Sequence, residues 1–149
     1  MLVAVPSTAL ISRIGTSDEH ISLLEHLAPL QSRLSAVIVT TPQAVALLDA
    51  MKCLSFTRAV NLPVLGLIEN MSGYVCPCCG EVSNVFSTGG GEEMAKREGI
   101  PFLGRLPIDP ELVTVLDAAG DVMDKYQQTK SSTLFASITA VLCNSGHVV

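Results

Sequence analysis

Hydrophobic positions along the chain form two kinds of run, and the kinds alternate. Leu34 to Thr41 (LSAVIVTT) is compact, rich in β-branched residues and without in/out alternation, which predicts a strand buried on both faces. Val64 to Glu69 (VLGLIE) reads the same way, and Ile100 to Leu106 (IPFLGRL) predicts a third, shorter strand. Between the first two, Val45, Leu48, Met51 and Leu54 keep helical spacing, with Thr41 as N-cap, Pro42 at the first helical position and Asn61-Leu62-Pro63 as the stop. Upstream, Thr16-Ser17-Asp18-Glu19 has the form of a capping box, and Ile21, Leu24, Leu27 and Ala28 predict a short amphipathic helix ending at Pro29. Downstream, a helix spans Glu92 to Glu98 before Gly99. Asp109 caps and Pro110 opens another that halts at Gly120, and a last one runs from Ser132 to Cys143 with Leu134, Ile138 and Leu142 on one face.

Strand, helix, strand is the βαβ order, so the fold class is α/β, a doubly wound, mostly parallel sheet. Asn70-Met71-Ser72-Gly73 is expected to be a polar loop, and residues 74–91 lack a period and should project as an excursion from a strand end. Three strands are few for such a sheet. Residues 1–14 are not expected to supply more, so the N-terminal strands are missing and the edge beside Leu34–Thr41 is left open.

A chain of 149 residues fits one domain, and 48% hydrophobic with 15% charged residues excludes a disordered polymer. A formal charge of -5, with no basic run longer than Lys96-Arg97, argues against nucleic acid as a partner. The longest charge-free apolar stretch, Leu34 to Leu48, is broken by Thr40-Thr41-Pro42-Gln43 and falls short of the roughly 18 residues of a membrane span. The opening residues lack a basic region, and Pro6 interrupts them, so a secretion signal is disfavoured.

Five cysteines, three of them in Cys76-Pro77-Cys78-Cys79, cannot all pair in structural disulfides, which favours a reducing compartment with metal or redox chemistry. Cys76 and Cys79 have C-x-x-C spacing, which aims two sulfurs at one point while intervening N–H groups stabilise thiolates. Zinc and iron-sulfur clusters usually want four ligands. Cys53 and Cys143 stand alone on helices and read as packing residues. The chain therefore carries half a site, which a two-fold axis would complete by bringing two such turns together. A zinc knuckle within one chain, a dithiol redox pair and a Cys76/Cys78 ligand pair are the alternatives.

Gly89-Gly90-Gly91 superficially resembles a phosphate loop, but Glu92 and Glu93 follow at once and would repel an anion there. A hinge into a short helix is the plainer reading, and no G-x-x-x-x-G-K-[ST] motif occurs in the sequence. Asn70 lies at the carboxyl end of a strand, where open α/β sheets bind ligands and an amide can meet a nucleobase edge. His20, His26 and His147 form no cluster along the chain.

Taken together, VIVTTPQAVALLDAMKC, GLIENMSGYVCPCCGE, STGGGEEMA and GIPFLGRLPIDPELV resemble the C-terminal portion of the Mrp/Nbp-type (Nubp/Cfd) P-loop ATPases, iron-sulfur cluster carriers of the deviant Walker A class. The resemblance runs from Gly15 to about Asp121, and GGGEEMA looks like the branch of the smaller scaffold subunit. It divides the chain into an unmatched segment, 1–14, and the C-terminal portion of a single P-loop NTPase-like domain, 15–149. It implies a [4Fe-4S] cluster shared between two subunits through Cys76 and Cys79, and ATP with Mg²⁺ in the full-length family. It also implies an adenine pocket lined by Asn70 and the Pro107-Ile108-Asp109 segment. The implied partners are a second copy or the larger scaffold ATPase, and apoproteins that receive clusters; the implied compartment is the cytoplasm.

The family's phosphate loop, of the form G-K-G-G-V-G-K-S, is not in this sequence, and of D-T-P-P-G-T-S-D-E-H only Gly15 to His20 remains. No catalytic residue carries over. Two readings from other classes compete: a structural zinc-binding interaction module, and a ParA-like or MinD-like partitioning ATPase, which shares the fold but has no need of the cysteine pair.

Overall fold

The computed structural model describes residues 2–5, 8–11, 17–76, 78–83, 89–117 and 122–144. Three strands form its parallel heart: β3 (Ser35–Thr40), β4 (Val64–Val75) and β6 (Phe102–Ile108). β4 lies between the other two, with Ile38 opposite Leu67 on one side and Leu67 opposite Phe102 on the other. The crossovers are the helices α2 (Ala44–Ala59) and α3 (Gly90–Glu98). Ile38 and Leu67 of the sheet pack there with Ala50 and Leu54 of α2 and Met94 and Ala95 of α3. The opposite face packs Val37, Ile68, Leu103 and Leu106 against Ile138 of α6 (Lys130–Asn144). Helices on both faces of a parallel sheet make the doubly wound α/β class expected from the apolar runs.

Several elements depart from their expected form. β1 (Leu2–Val5) and β2 (Thr8–Ile11) form an antiparallel hairpin, and β1 pairs with β3, Leu2 opposite Val37. The first fourteen residues thus do extend the sheet, though with antiparallel strands: an exposed edge of unpaired N–H and C=O groups is an available template for any extended segment. α1 (Ser17–His26) lies where the capping box placed it, followed by a 3-10 helix, Ala28–Arg33; Thr16 itself is outside the described residues. Leu23, Leu24 and Leu27 pack against Leu34, Ala36, Cys53 and Leu62.

α2 begins two residues later than Pro42, with Gln43 as an N-cap that makes no side-chain hydrogen bond. Its Val45 and Leu48 are exposed, whereas Ala50, Cys53, Leu54 and Thr57 are buried. This helix is apolar on more than one face, so spacing alone does not choose which side meets the sheet. Its end follows the expected stop: Asn61 adopts φ 53°, the Leu62 N–H donates to the Thr57 carbonyl and the Asn61 N–H to that of Arg58, the Schellman arrangement with asparagine in the left-handed position.

α4 (Pro110–Asp117) and α6 match the expected helices, with Gly120 outside the described residues, and a short α5 (Val122–Gln127) was not legible. On α6, Ile138 is buried and Leu142 packs beside it, while Leu134 and Cys143 are exposed, so Cys143 is not a packing residue. Among the described residues no helix is long and apolar enough to cross a membrane.

Candidate functional site

The principal correction concerns Asn70 to Gly73, expected as a loop. Strand β4 runs through them to Val75. Its register with β6 jumps from Asn70 opposite Leu106 to Tyr74 opposite Ile108, so Met71, Ser72 and Gly73 bulge where β6 spends one residue. Met71 and Gly73 take φ values of 58° and 98°, which absorbs the extra length and lets the strand resume. Pairing on both sides of the bulge is what makes the segment a strand, and that pairing involves residues some 35 positions away.

Beyond the bulge, Tyr74 and Val75 pair with Ser83 and Val82 of β5 (Val82–Ser83) in a short antiparallel hairpin. Its tip is the cysteine turn. The Cys76 N–H donates to the Glu81 carbonyl at 2.9 Å, and the Gly80 N–H donates to the Cys76 carbonyl at 2.8 Å. Cys76 is half-buried, and Cys78 and Cys79 are exposed. The N–H groups of Cys79 and Cys78, then the thiols of those residues, hold the Cys76 thiol below its ordinary pKa against a smaller opposing effect of burial. Cys79 Sγ lies 4.0 Å from Glu81 Oε2. Pro77 and residues 84–88 lie outside the described residues.

A thiol with a stabilised thiolate beside an exposed neighbour suits a soft metal centre. Among the described residues no three His, Cys, Asp or Glu side chains converge on one metal position, and all five cysteines are free. Cys53 is buried, and burial pushes its thiol pKa up, the behaviour of a packing residue.

Asn70 and Pro107 are both half-buried at the carboxyl end of the sheet, one on β4 and the other on β6 next to its partner Leu106. Asn70 Oδ1 accepts the N–H of its neighbour Met71 at 2.9 Å. Asp109 is 4% exposed and saturated internally. Its Oδ1 accepts the N–H groups of Glu111 and Leu112, and its Oδ2 accepts the Ser131 hydroxyl at 2.7 Å and the Ser131 N–H at 3.2 Å. The carboxylate therefore caps the start of α4, as the sequence implied, and the start of α6 as well. Burial tends to raise its pKa, but those donors, led by the Ser131 hydroxyl, outweigh it and hold the group below its ordinary value.

No sequence motif marks Glu69. It is fully buried at the end of the regular β4 pairing, where it accepts the Ser72 hydroxyl and the Gly91 N–H, each at 2.6 Å, and lies 3.4 Å from Arg105 Nε. The available signal was one charged residue closing an otherwise apolar run, VLGLIE. Glu69 also accounts for Gly91, the last residue of the triglycine. A Cβ on Gly91 would stand 2.8 Å from Glu69 Oε2 and 3.2 Å from Leu67 Cδ2, so close approach demands glycine, and the anion at this helix start is the protein's own. An open cleft of about 490 Å³ beside the start of α3 is lined by Pro42, Leu47, Glu92, Glu93 and Lys96 among others.

Comparison with known proteins joins these observations. The family model described as NUBPL iron-transfer P-loop NTPase, of the ParA group, matches residues 14–143. The chain belongs to this family. The Mrp/Nbp resemblance carried by the cysteine and triglycine segments is thereby established. A Mycosarcoma maydis protein described as cytosolic Fe-S cluster assembly factor CFD1 is 63% identical over 107 residues, 72% of this chain and 29% of that protein. A Bos taurus protein described as cytosolic Fe-S cluster assembly factor NUBP2 is 49% identical over 124 residues, 83% of this chain and 45% of that protein. The chain thus spans less than half the length of these relatives. The crystal structure of the Pyrococcus furiosus cell division ATPase MinD superposes with a TM-score of 0.55 at 19% identity, over 74% of this chain and 42% of that one; the likeness is one of fold.

Proposed function

We propose that this member of the NUBPL family acts in cytosolic iron-sulfur cluster assembly, holding a [4Fe-4S] cluster as cargo between two subunits through Cys76 and Cys79 and passing it to apoproteins. The observation that carries this reading is the turn at the end of β4, where backbone N–H groups draw the Cys76 thiol below its ordinary pKa and the thiol of Cys79 stands exposed beside it. Two such turns related by a two-fold axis supply four thiolates. Membership of an iron-transfer family and likeness to cytosolic Fe-S cluster assembly factors support the cargo and the cytoplasm as its compartment. The second subunit is another copy or a larger scaffold ATPase of the same family.

Nucleotide enters this proposal through the longer proteins of the family, which carry the phosphate loop and Mg²⁺ ligands. Asn70 and Pro107 would meet adenine at the carboxyl end of the sheet, and Asp109 would fix the Pro107 segment through its caps on α4 and α6.

The test is anaerobic reconstitution followed by iron, sulfide and zinc analysis and measurement of oligomeric state. Cys76→Ser and Cys79→Ser should each lose iron and metal-dependent dimerisation together, whereas Cys53→Ser and Cys143→Ser should keep both. Zinc without sulfide in the wild-type protein would replace the proposal with a structural zinc module. Loss of iron in Cys78→Ser but not Cys79→Ser would overturn the ligand assignment.

A further inference from the structure

The chain departs from the β4–β6 ladder at the bulge around Ser72, rejoins it at Tyr74, carries the cysteine turn, and returns to begin α3 at Gly90; the departure and the return both close on a single carboxylate. At the departure, the Ser72 hydroxyl donates to Glu69 Oε1 at 2.6 Å. At the return, the Gly91 N–H donates to Oε2 at 2.6 Å, and the Gly89 N–H reaches Oε1 at 3.5 Å. Arg105, on the adjacent strand β6, places Nε 3.4 Å from Oε1 and pairs its guanidinium with Glu92 of α3 as well.

A carboxylate with 0% exposure costs desolvation that an apolar residue would not. Capping α3 alone does not require it, since a Ser or Asn at the N-cap would do that locally. What the carboxylate adds is simultaneous acceptance from the adjacent bulge and the remote triglycine and, through charge, a tie to β6.

We infer that Glu69 is a positioning residue for the cysteine turn, clamping the base of the excursion so that Cys76 emerges from a fixed strand end. Closing the base holds the β4–β5 hairpin in register. Gln at this position retains one acceptor oxygen but turns an amide donor toward groups that are themselves donors. The arm of the test that uses iron rests on the function proposed above; the exchange arm does not.

The experiment uses the 149-residue chain as Glu69→Gln and Ser72→Ala, with Ile138→Ala as a control that loosens the core on the opposite face. Amide hydrogen exchange is read at Cys76 and Gly80, whose N–H groups bond within the turn, and at β3. Glu69→Gln should speed exchange at Cys76 and Gly80 about tenfold beyond any change in β3, the scale of one hydrogen bond to a charged group. Ser72→Ala should act in the same direction, and the double variant should be less than additive. Ile138→Ala should leave the ratio of turn to β3 exchange unchanged. Unchanged ratios in both Glu69→Gln and Ser72→Ala overturn the inference; if Glu69→Gln does not fold, Ser72→Ala alone decides it.

In the iron-loaded protein, visible circular dichroism reports ligand geometry rather than fold stability. A band shape altered in Glu69→Gln but not in Ile138→Ala supports the clamp, and an unaltered shape in Glu69→Gln counts against it. A wild-type chain that holds no iron refutes the proposed function, and the exchange ratios still judge the clamp.

Discussion

Asp109→Ala should destabilise the protein by an amount that the two helix starts make calculable. Losing the Oδ1 acceptor removes the cap of α4, where the Glu111 and Leu112 N–H groups lie 3.1 and 3.3 Å away, a change that costs about 1 kcal/mol. Losing Oδ2 strips the Ser131 hydroxyl and N–H of α6 of their acceptor. Ser131 is 1% exposed, so water does not replace that acceptor, and the unmade bonds cost about 1–3 kcal/mol. The sum is about 2–4 kcal/mol, a large share of the roughly 5–15 kcal/mol that holds a domain folded. Asp109→Asn separates the halves: its oxygen can keep the α4 cap, while its amide cannot accept from Ser131, so it should lose only the second part. Urea denaturation followed by far-ultraviolet circular dichroism, with the slope m held common, gives both values. Ser131→Ala placed on Asp109→Ala should add little, because the hydroxyl has already lost its partner. A loss below about 1 kcal/mol for Asp109→Ala, less than the cap and the Ser131 bonds together supply, would refute the double-cap reasoning. Equal losses for Asn and Ala would refute its division.

Because the Asp109 pKa is lower in the folded protein than in the unfolded chain, its contribution is complete above the unfolded value of about 3.9 and is lost as pH falls through the folded value. Wild-type stability should therefore drop more steeply below about pH 4 than that of Asp109→Asn, as acid titration of the urea midpoint would show. Gly91→Ala should cost about 1–3 kcal/mol from crowding against Glu69 and Leu67, offset by the roughly 1 kcal/mol by which Ala favours a helix, a net loss of about 0–2 kcal/mol; a stabilising result in the same melts would contradict the close approach. The 149-residue chain should show no Mg²⁺-dependent ATP turnover above a protein-free control, because the sequence holds no phosphate-loop lysine with its adjoining Ser/Thr, and phosphate release at a measurable rate would overturn this.

The parallel heart of the sheet and its crossover helices were legible in the sequence because their signals are local. A strand buried on both faces must be apolar throughout, and LSAVIVTT and VLGLIE could serve as little else. The cysteine turn was legible for the same reason: the groups that stabilise the Cys76 thiolate belong to Cys78 and Cys79. Asp109 shows where locality ends. Its cap on α4 is written in Asp109-Pro110-Glu111, but its hold on Ser131 joins positions 22 residues apart and exists only because α6 packs back on the sheet. Which side of α2 faces inward is decided by the sheet, since the exposed Val45 and Leu48 are at least as apolar as the buried Ala50, Cys53, Leu54 and Thr57. Asn70 to Gly73 carry turn-forming residues, and β6 on one side with β5 beyond nevertheless draws them into a bulged strand. Glu69 depended most on the tertiary structure: a charge at the end of an apolar run is ambiguous until Ser72, Gly91 and Arg105 converge on it, and that convergence pairs residues from three separate segments of the chain.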